Sequence, residues 1–239
     1  MAAVEQSHWW YRATRTLLQQ ILSPMLSAPG DRRLELLDAG GGTGATGAWL
    51  ADHGDLVALD VEPRALALYG ELHPAARRVA GDLSAIGLKD HSVDGALCVT
   101  VLYHQAIPSP AAAVAELARV VRPGGFVCLM EPGVRRLNRA HDRVTHTARR
   151  FARRDLQDLV TGAGLELVSS TGAYSFLVPP AWLKMHWERG RAGASDLDSN
   201  PSGLGGTLSA LARLERAALR RVQLPAGLSV IAVGRKPLR

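Results

Sequence analysis

Leu36-Leu37-Asp38-Ala39-Gly40-Gly41-Gly42-Thr43-Gly44-Ala45-Thr46-Gly47 is the stretch that decides the fold. An apolar run that ends in a carboxylate and breaks into glycines is a buried strand feeding a tight loop. Glycine lets such a loop take left-handed conformations and come close to a ligand. Reading outward, the strand begins at Leu34, after a linker of Ala28, Pro29 and Gly30. Beyond the loop a helix is expected to reach about His53, and Leu56 to Leu59 is a second strand closed by Asp60. Pro63 suits the first turn of the next helix. Arg77 to Ala80 is a third strand before Gly81-Asp82, and Val93 to Val101 a fourth. Pro110 to Val121 reads as a helix, Pro123-Gly124-Gly125 as a turn and Phe126 to Met130 as a fifth strand. Strands that alternate with helices in this way predict an α/β fold with a doubly wound, mostly parallel sheet.

The flanks are less regular. Glu5 to Leu22 is an amphipathic helix that stops before Pro24. After Glu131 comes a basic, histidine-containing connection from Arg135 to Arg150, then a helix from Arg153 to Thr161 and a sixth strand from Leu165 to Ser169. Tyr174 to Ala226 is long and irregular, with a helix from Leu208 to Arg221, and Leu228 to Val233 is the last strand.

At 239 residues the chain can bury a sizeable core, and 47% apolar with 21% charged residues is ordinary for a globular protein. Ser175 to Leu183 is apolar but too short, and too interrupted by proline, to span a bilayer. With no transmembrane segment and no secretory signal in view, the expected location is cytoplasmic. Cys98 and Cys128 lie in strand-like runs and read as buried thiols. The net charge of +6 comes almost wholly from arginine, the lysines being Lys89, Lys184 and Lys236. The basic connection has no aromatic residue before Phe151, and RNA recognition calls for stacking partners, so the pattern argues against nucleic acid.

Strand, glycine loop, helix and acidic residue, in that order, describe a nucleotide-like site. The loop and the helix N-terminus offer backbone N–H groups, and Asp60 can accept from two ribose hydroxyls. The loop itself is ambiguous. Gly40-Gly41-Gly42-Thr43-Gly44 reads as G-x-G-x-G, whereas Gly42 to Gly47 satisfies the G-x-G-x-x-G of dinucleotide enzymes. Asp38, directly before the glycines, separates the two. A carboxylate there would repel a pyrophosphate and suits a ligand with a cationic amino-acid end. Asp82 can accept from an adenine amino group.

Three motifs in order, Leu36 to Gly44, Gly81-Asp82-Leu83 and Leu117-Ala118-Arg119-Val120-Val121-Arg122-Pro123-Gly124-Gly125, resemble the Rossmann-like (class I) methyltransferases that use S-adenosylmethionine (SAM). Within that family the pattern is most similar to the small-molecule group that includes the ubiquinone/menaquinone-biosynthesis type. The resemblance implies a seven-stranded sheet whose last strand is antiparallel, SAM as cofactor and S-adenosylhomocysteine (SAH) as product. It implies that Asp38, Ala39, Gly40 and Gly42 line the methionine end, Asp60 and Val61 the ribose, and Asp82 and Leu83 the adenine. Val99 and Thr100 would face the sulfonium. The run Ser7 to Arg15 is similar to a lead helix that closes over the cofactor, with Tyr11 and Arg15 touching it; the alternative is a helix whose tryptophans only pack on the sheet.

Methyl transfer is an in-line displacement in which positioning does much of the work. Tyr103 and His104 follow the fourth strand and are the first candidates for base or acceptor-orienting residues. His141 and His146, with Asp142 beside them, form a second constellation. A metal site would need Glu131 as well, and none is expected. The arginines from Arg135 to Arg150 can grip an acidic acceptor or face solvent. Tyr174, Phe176, Trp182 and Trp187 suggest a cap over the acceptor or a homodimer surface through residues 172–226. The domain expectation is therefore one unit over 1–239: lid helix 1–30, core 31–171, helical cap insertion 172–226 and last strand 227–239. The expected partner is a small-molecule acceptor methylated on O, N or C. Two alternatives stay open at this point. One is an NAD(P)-dependent oxidoreductase, although no Tyr-x-x-x-Lys pair is present. The other is a non-catalytic SAM- or SAH-binding subunit.

Overall fold

The apolar run before the glycines forms β1 (Leu34–Ala39), buried at every position except Glu35. A strand covered on both faces needs such an unbroken run. In the computed structural model, which describes residues 5, 8–27, 32–137, 147–187 and 205–238, six more strands join it. They are β2 (Gly54–Asp60), β3 (Arg77–Ala80), β4 (Val93–Val99), β5 (Val121–Pro132), β6 (Glu166–Ala173) and β7 (Ser229–Arg235). The order across the sheet is β3-β2-β1-β4-β5-β7-β6. All neighbours up to β5 run parallel, and β7 lies antiparallel to both β5 and β6. This is the expected seven-stranded sheet with an antiparallel last strand, which slots between β5 and the edge strand β6.

The strand order reverses between β1 and β4, where Ala39 pairs with Cys98. In a doubly wound sheet this reversal opens a crevice at the C-terminal strand ends, because the two connections leave to opposite faces.

Helices cover both faces. The lead helix α1 (Trp9–Leu22) is capped by His8, whose Nδ1 accepts the Trp10 N–H, and it buries Thr14, Leu17, Leu18 and Leu22. Those leucines join one core layer with Trp49, Tyr69, Leu36, Leu97 and Met130. Each buried leucine contributes roughly 1.5–3 kcal/mol. In the same layer, α2 (Pro63–Leu72) buries Leu66 and Tyr69 and α6 (Gly205–Ala218) buries Ala212. On the opposite face α3 (Pro110–Val120) and α4 (Arg153–Gly162) pack Val114, Leu117, Leu156 and Val160 against Leu37, Cys98 and Leu129. α5 (Val178–Trp187) follows a short 3-10 turn after β6. Among the described residues, no helix is long and apolar enough to cross a membrane.

Local departures from expectation have local causes. No α-helix follows the glycine loop; residues Ala48–Asp52 form a 3-10 turn. Gly44 sits in the left-handed region at φ 88°, which interrupts the helical path just after the loop. β4 ends at Val99, not Val101, because Thr100 turns into the left-handed region at φ 54°. β5 begins at Val121 and carries the expected turn inside it, as a register shift between the Val93 and Gly95 pairings.

Candidate active site

The crevice at the β1–β4 switch is built from two loops in contact. A Cβ on Gly40, at φ 73°, would strike the side chain of Val101 just past β4. Glycine here is the condition for close approach. The loop is pinned by the end of β2: Gly40 and Gly41 donate their N–H groups to the Leu59 carbonyl at 2.7 and 3.1 Å. Gly42 donates to Asp60 Oδ2 at 2.8 Å, and the Glu62 N–H meets Asp60 Oδ1 at 2.9 Å. Asp60 therefore shapes the loop while remaining partly exposed. A Cβ on Gly42, at φ 56°, would meet nothing within 4 Å, so the loop turns its open side here. Val61 next to it is 69% exposed.

Asp38, expected to line the ligand, instead lies beneath the loop at 2% exposure, its carboxylate accepting the Tyr69 hydroxyl at 3.0 Å. Burial pushes its pKa up to about 7, with the Tyr69 hydrogen bond opposing the shift and the Asp60 charge adding to it. Ala39 and Val99 are likewise buried strand-end residues of the core, and Leu83 is buried beside the exposed Asp82. The Ser84 backbone N–H and hydroxyl both donate to Asp82 Oδ1 at 2.7 Å and hold that carboxyl below the usual range.

The lead helix lies across this crevice. Arg15 donates to the Ala45 carbonyl at 2.7 Å, and Glu5 accepts the Thr43 hydroxyl. Burial, then the Glu5 charge and Tyr103, push the Tyr11 phenol up to about 12. Glu5, Arg15, Thr43, Gly44, Trp49 and His73 line a cleft of about 320 Å³ beside the loop.

The loop after β4 is held by a residue that sequence reasoning raised only as a metal ligand. Glu131, fully buried at the end of β5, accepts the N–H groups of Val101, Leu102 and Tyr103 at 3.0, 2.8 and 3.1 Å. Burial pushes its pKa up to about 8 against the pull of these three bonds and the nearby Arg149 charge. A carboxylate closing an apolar strand was the available signal. Beyond this nest, His104 Nδ1 accepts the Ala106 N–H at 3.1 Å, and His104 bridges to Thr147. A ring accepting at Nδ1 carries its proton on Nε2.

His141 and His146 lie outside the described residues. No metal-holding group of three His, Cys, Asp or Glu side chains occurs among the described residues. Several arginines of the connection serve the fold: Arg149 donates to the Ile107 carbonyl at 2.7 Å, Arg150 to Gly133 at 3.1 Å, and Arg135 pairs with Asp155.

Comparison with known proteins meets this geometry at the same residues. The model of the methyltransferase-domain family matches residues 37–129, from β1 to within β5. That segment is similar to a methyltransferase domain. A malonyl-[acyl-carrier protein] O-methyltransferase of Pectobacterium atrosepticum is 34% identical over 139 residues, 56% of this chain and 53% of that protein. A demethylmenaquinone methyltransferase of Renibacterium salmoninarum is 32% identical over 120 residues, 49% of this chain and 48% of that protein. The chain thus spans about half the length of the curated relatives it matches. A TehB-like SAM-dependent methyltransferase from Corynebacterium glutamicum superposes with a TM-score of 0.55 at 19% identity, covering 94% of this chain and 87% of that one. That likeness extends the fold of the methyltransferase domain to the flanking elements.

Proposed function

We propose that the protein is a methyltransferase that binds SAM, releases SAH and methylates O, N or C of a small-molecule metabolite. The observation that carries the reading is the glycine loop locked to Asp60 through the Gly42 N–H, inside the segment that matches the methyltransferase-domain model. The residues present fit the cofactor. The space a Gly42 side chain would fill is empty, the Asp60 carboxylate is partly exposed at the strand end, and the phosphate-repelling Asp38 lies under the loop.

In this reading Asp60, flanked by Val61, accepts from the ribose hydroxyls. Asp82 and Leu83 hold the adenine, and Gly40 and Gly42 border the methionine end. Arg15 trades the Ala45 carbonyl for the cofactor carboxylate, and Tyr11 closes the lid toward Thr100 and Tyr103. The cofactor supplies an electrophilic methyl group on a cationic sulfur. The chain aligns the acceptor lone pair with it and excludes water, which lowers the barrier through positioning. His104 orients the acceptor by donating from Nε2, and Tyr103 borders the same space. The acceptors named for the two curated relatives differ, which fits a domain whose specificity lies in its flanking segments. Leu183, Trp187, Leu211 and Leu214 stay exposed on α5 and α6 and suit a homodimer surface.

The test is calorimetric titration with SAM, SAH and NADH. Micromolar binding of SAM or SAH without an NADH response supports the reading. NADH binding without SAM binding would replace it with a nicotinamide enzyme. SAM binding with no transfer across a broad acceptor screen would make the protein a cofactor-binding subunit.

A further inference from the structure

Beneath the glycine loop lies a buried group that none of these roles uses. Tyr69, on the inner side of α2, is fully buried, and its hydroxyl donates to Asp38 Oδ2 at 3.0 Å. The two side chains fill the space under both ends of the loop. A Cβ on Gly41 would press on the Asp38 carboxyl and the Tyr69 ring, and one on Gly47 would overlap that carboxyl. His73, one turn further along α2 and 5.3 Å from the Tyr69 ring, closes against the middle of the loop, where a Gly44 Cβ would strike its imidazole. Three of the glycines are therefore explained by what lies below the loop, and each of those contacts leads back to α2.

We propose that Tyr69 is a positioning residue of the cofactor site, acting through Asp38 to hold the glycine loop and the negative charge beneath it in their binding form. The proposal rests on the SAM reading above. A buried carboxylate favours its neutral form, and the phenol opposes this by donating to the ionised one. The groups that face Asp38 are the Tyr69 hydroxyl from α2, Asp60 from the end of β2 and the Cys98 thiol from β4; His73 faces Tyr69. Among these the phenol is the one that draws the proton off Asp38. With Asp38 ionised, the loop carries a negative charge under a ligand whose amino-acid end brings an ammonium, in SAH as in SAM, an attraction that low surrounding polarity strengthens. With Asp38 protonated that attraction is lost.

The experiment is SAH calorimetry on wild type, Tyr69→Phe and Asp38→Asn between pH 6 and 8.5, with thermal melts to confirm folding. Wild-type affinity should fall as the pH drops through about 7, where Asp38 takes up its proton. Tyr69→Phe should weaken SAH about tenfold at pH 7.5, the worth of one hydrogen bond to a charged group. It should also move the fall-off to higher pH, since the phenol no longer favours the ionised acid. Asp38→Asn should bind weakly with the Asp38-dependent slope gone, which separates this effect from titration of His73. A Tyr69→Phe protein with wild-type affinity and pH profile overturns the proposal, and so does one that binds weakly with an unmoved profile, since Tyr69 would then be packing alone. If Tyr69→Phe does not fold, Asp38→Asn decides: wild-type affinity and slope in that variant overturn the proposal. Wild type that fails to bind SAH at any pH removes the cofactor reading instead, so the two failures are distinct.

Discussion

Asp38, Asp60 and Glu131 stand near the C-terminal ends of β1, β2 and β5, and their surroundings give them different work. Asp60 keeps exposure and two backbone N–H donors; Asp60→Ala loses the loop anchor and the proposed ribose acceptor, and should weaken SAH by at least a hundredfold in calorimetry. Unchanged affinity would remove the site from this crevice. His104, whose Nδ1 accepts the Ala106 N–H, is proposed to orient the acceptor and not to abstract its proton. His104→Ala should leave SAH affinity intact and slow turnover about tenfold, the cost of one hydrogen bond, where loss of a general base would cost ~10²–10⁴-fold. The buried acids set a pH slope as well. Burial raises Asp38 to about 7 and Glu131 to about 8, above ordinary carboxyl values, so between about pH 4.5 and 8 these two groups hold protons in the native state that they release in the unfolded chain. Their contribution to stability falls as pH rises through that window, while His8 and His73, whose pKa burial lowers, contribute the opposite slope as they titrate. Urea midpoints at pH 5, 6, 7 and 8 isolate the carboxyl part as a difference: relative to Glu131→Gln, wild type should lose stability as pH rises, and a difference that stays constant would contradict it. Asp60 was readable in the sequence because it closes a strand at a fixed distance from the glycines. Tyr69 and the role of Glu131 were not, because their partners lie about thirty residues away and only folding makes them neighbours.

At the scale of elements, α1 separates into two functions. Its leucines and the buried Thr14–Tyr174 hydrogen bond of 2.8 Å fasten it to the sheet and to β6, and Gln20 donates to the Arg216 carbonyl of α6. Its outer edge, through Arg15 and Tyr11, faces the crevice. Arg15→Ala should therefore lower the melting temperature by no more than about 2–4 °C, since a single polar contact is worth ~1 kcal/mol. It should weaken SAH about tenfold, because the cofactor carboxylate loses its cation. A large stability loss with unchanged affinity would make Arg15 a structural clamp. The helix was legible from its apolar spacing, and so were the strands, since burial on both faces demands continuous apolar runs. The element after the glycine loop differs from expectation: glycine spacing signals a helix start, but it does not reveal that Gly44 takes the left-handed φ of 88° and leaves only a 3-10 turn beyond it.

The whole molecule joins parts that the chain keeps far apart. β7, the last strand in sequence, pairs with β5 and β6, and the α6 residue Ala212 shares a core layer with α1 and β1. Alternation of strands and helices made the class of sheet legible, and family resemblance supplied the antiparallel last strand; no local pattern indicated that β7 would insert between β5 and β6. This interleaving has a consequence for unfolding. With the lead helix, the glycine loop and the C-terminal strand in one core, the chain should melt in a single transition, and a ligand held in the crevice should raise all of it. At a hundred times its dissociation constant, SAH binding to the native state alone contributes about 2.7 kcal/mol. A domain of this size gains roughly 2–4 °C per kcal/mol, so calorimetry should show one peak displaced upward by about 5–10 °C. NADH at the same excess should leave the peak in place. Two transitions, with SAH moving only one, would mean that α5, α6 and the segment between them unfold apart from the sheet, and the cap would then be a separate unit laid on the methyltransferase domain.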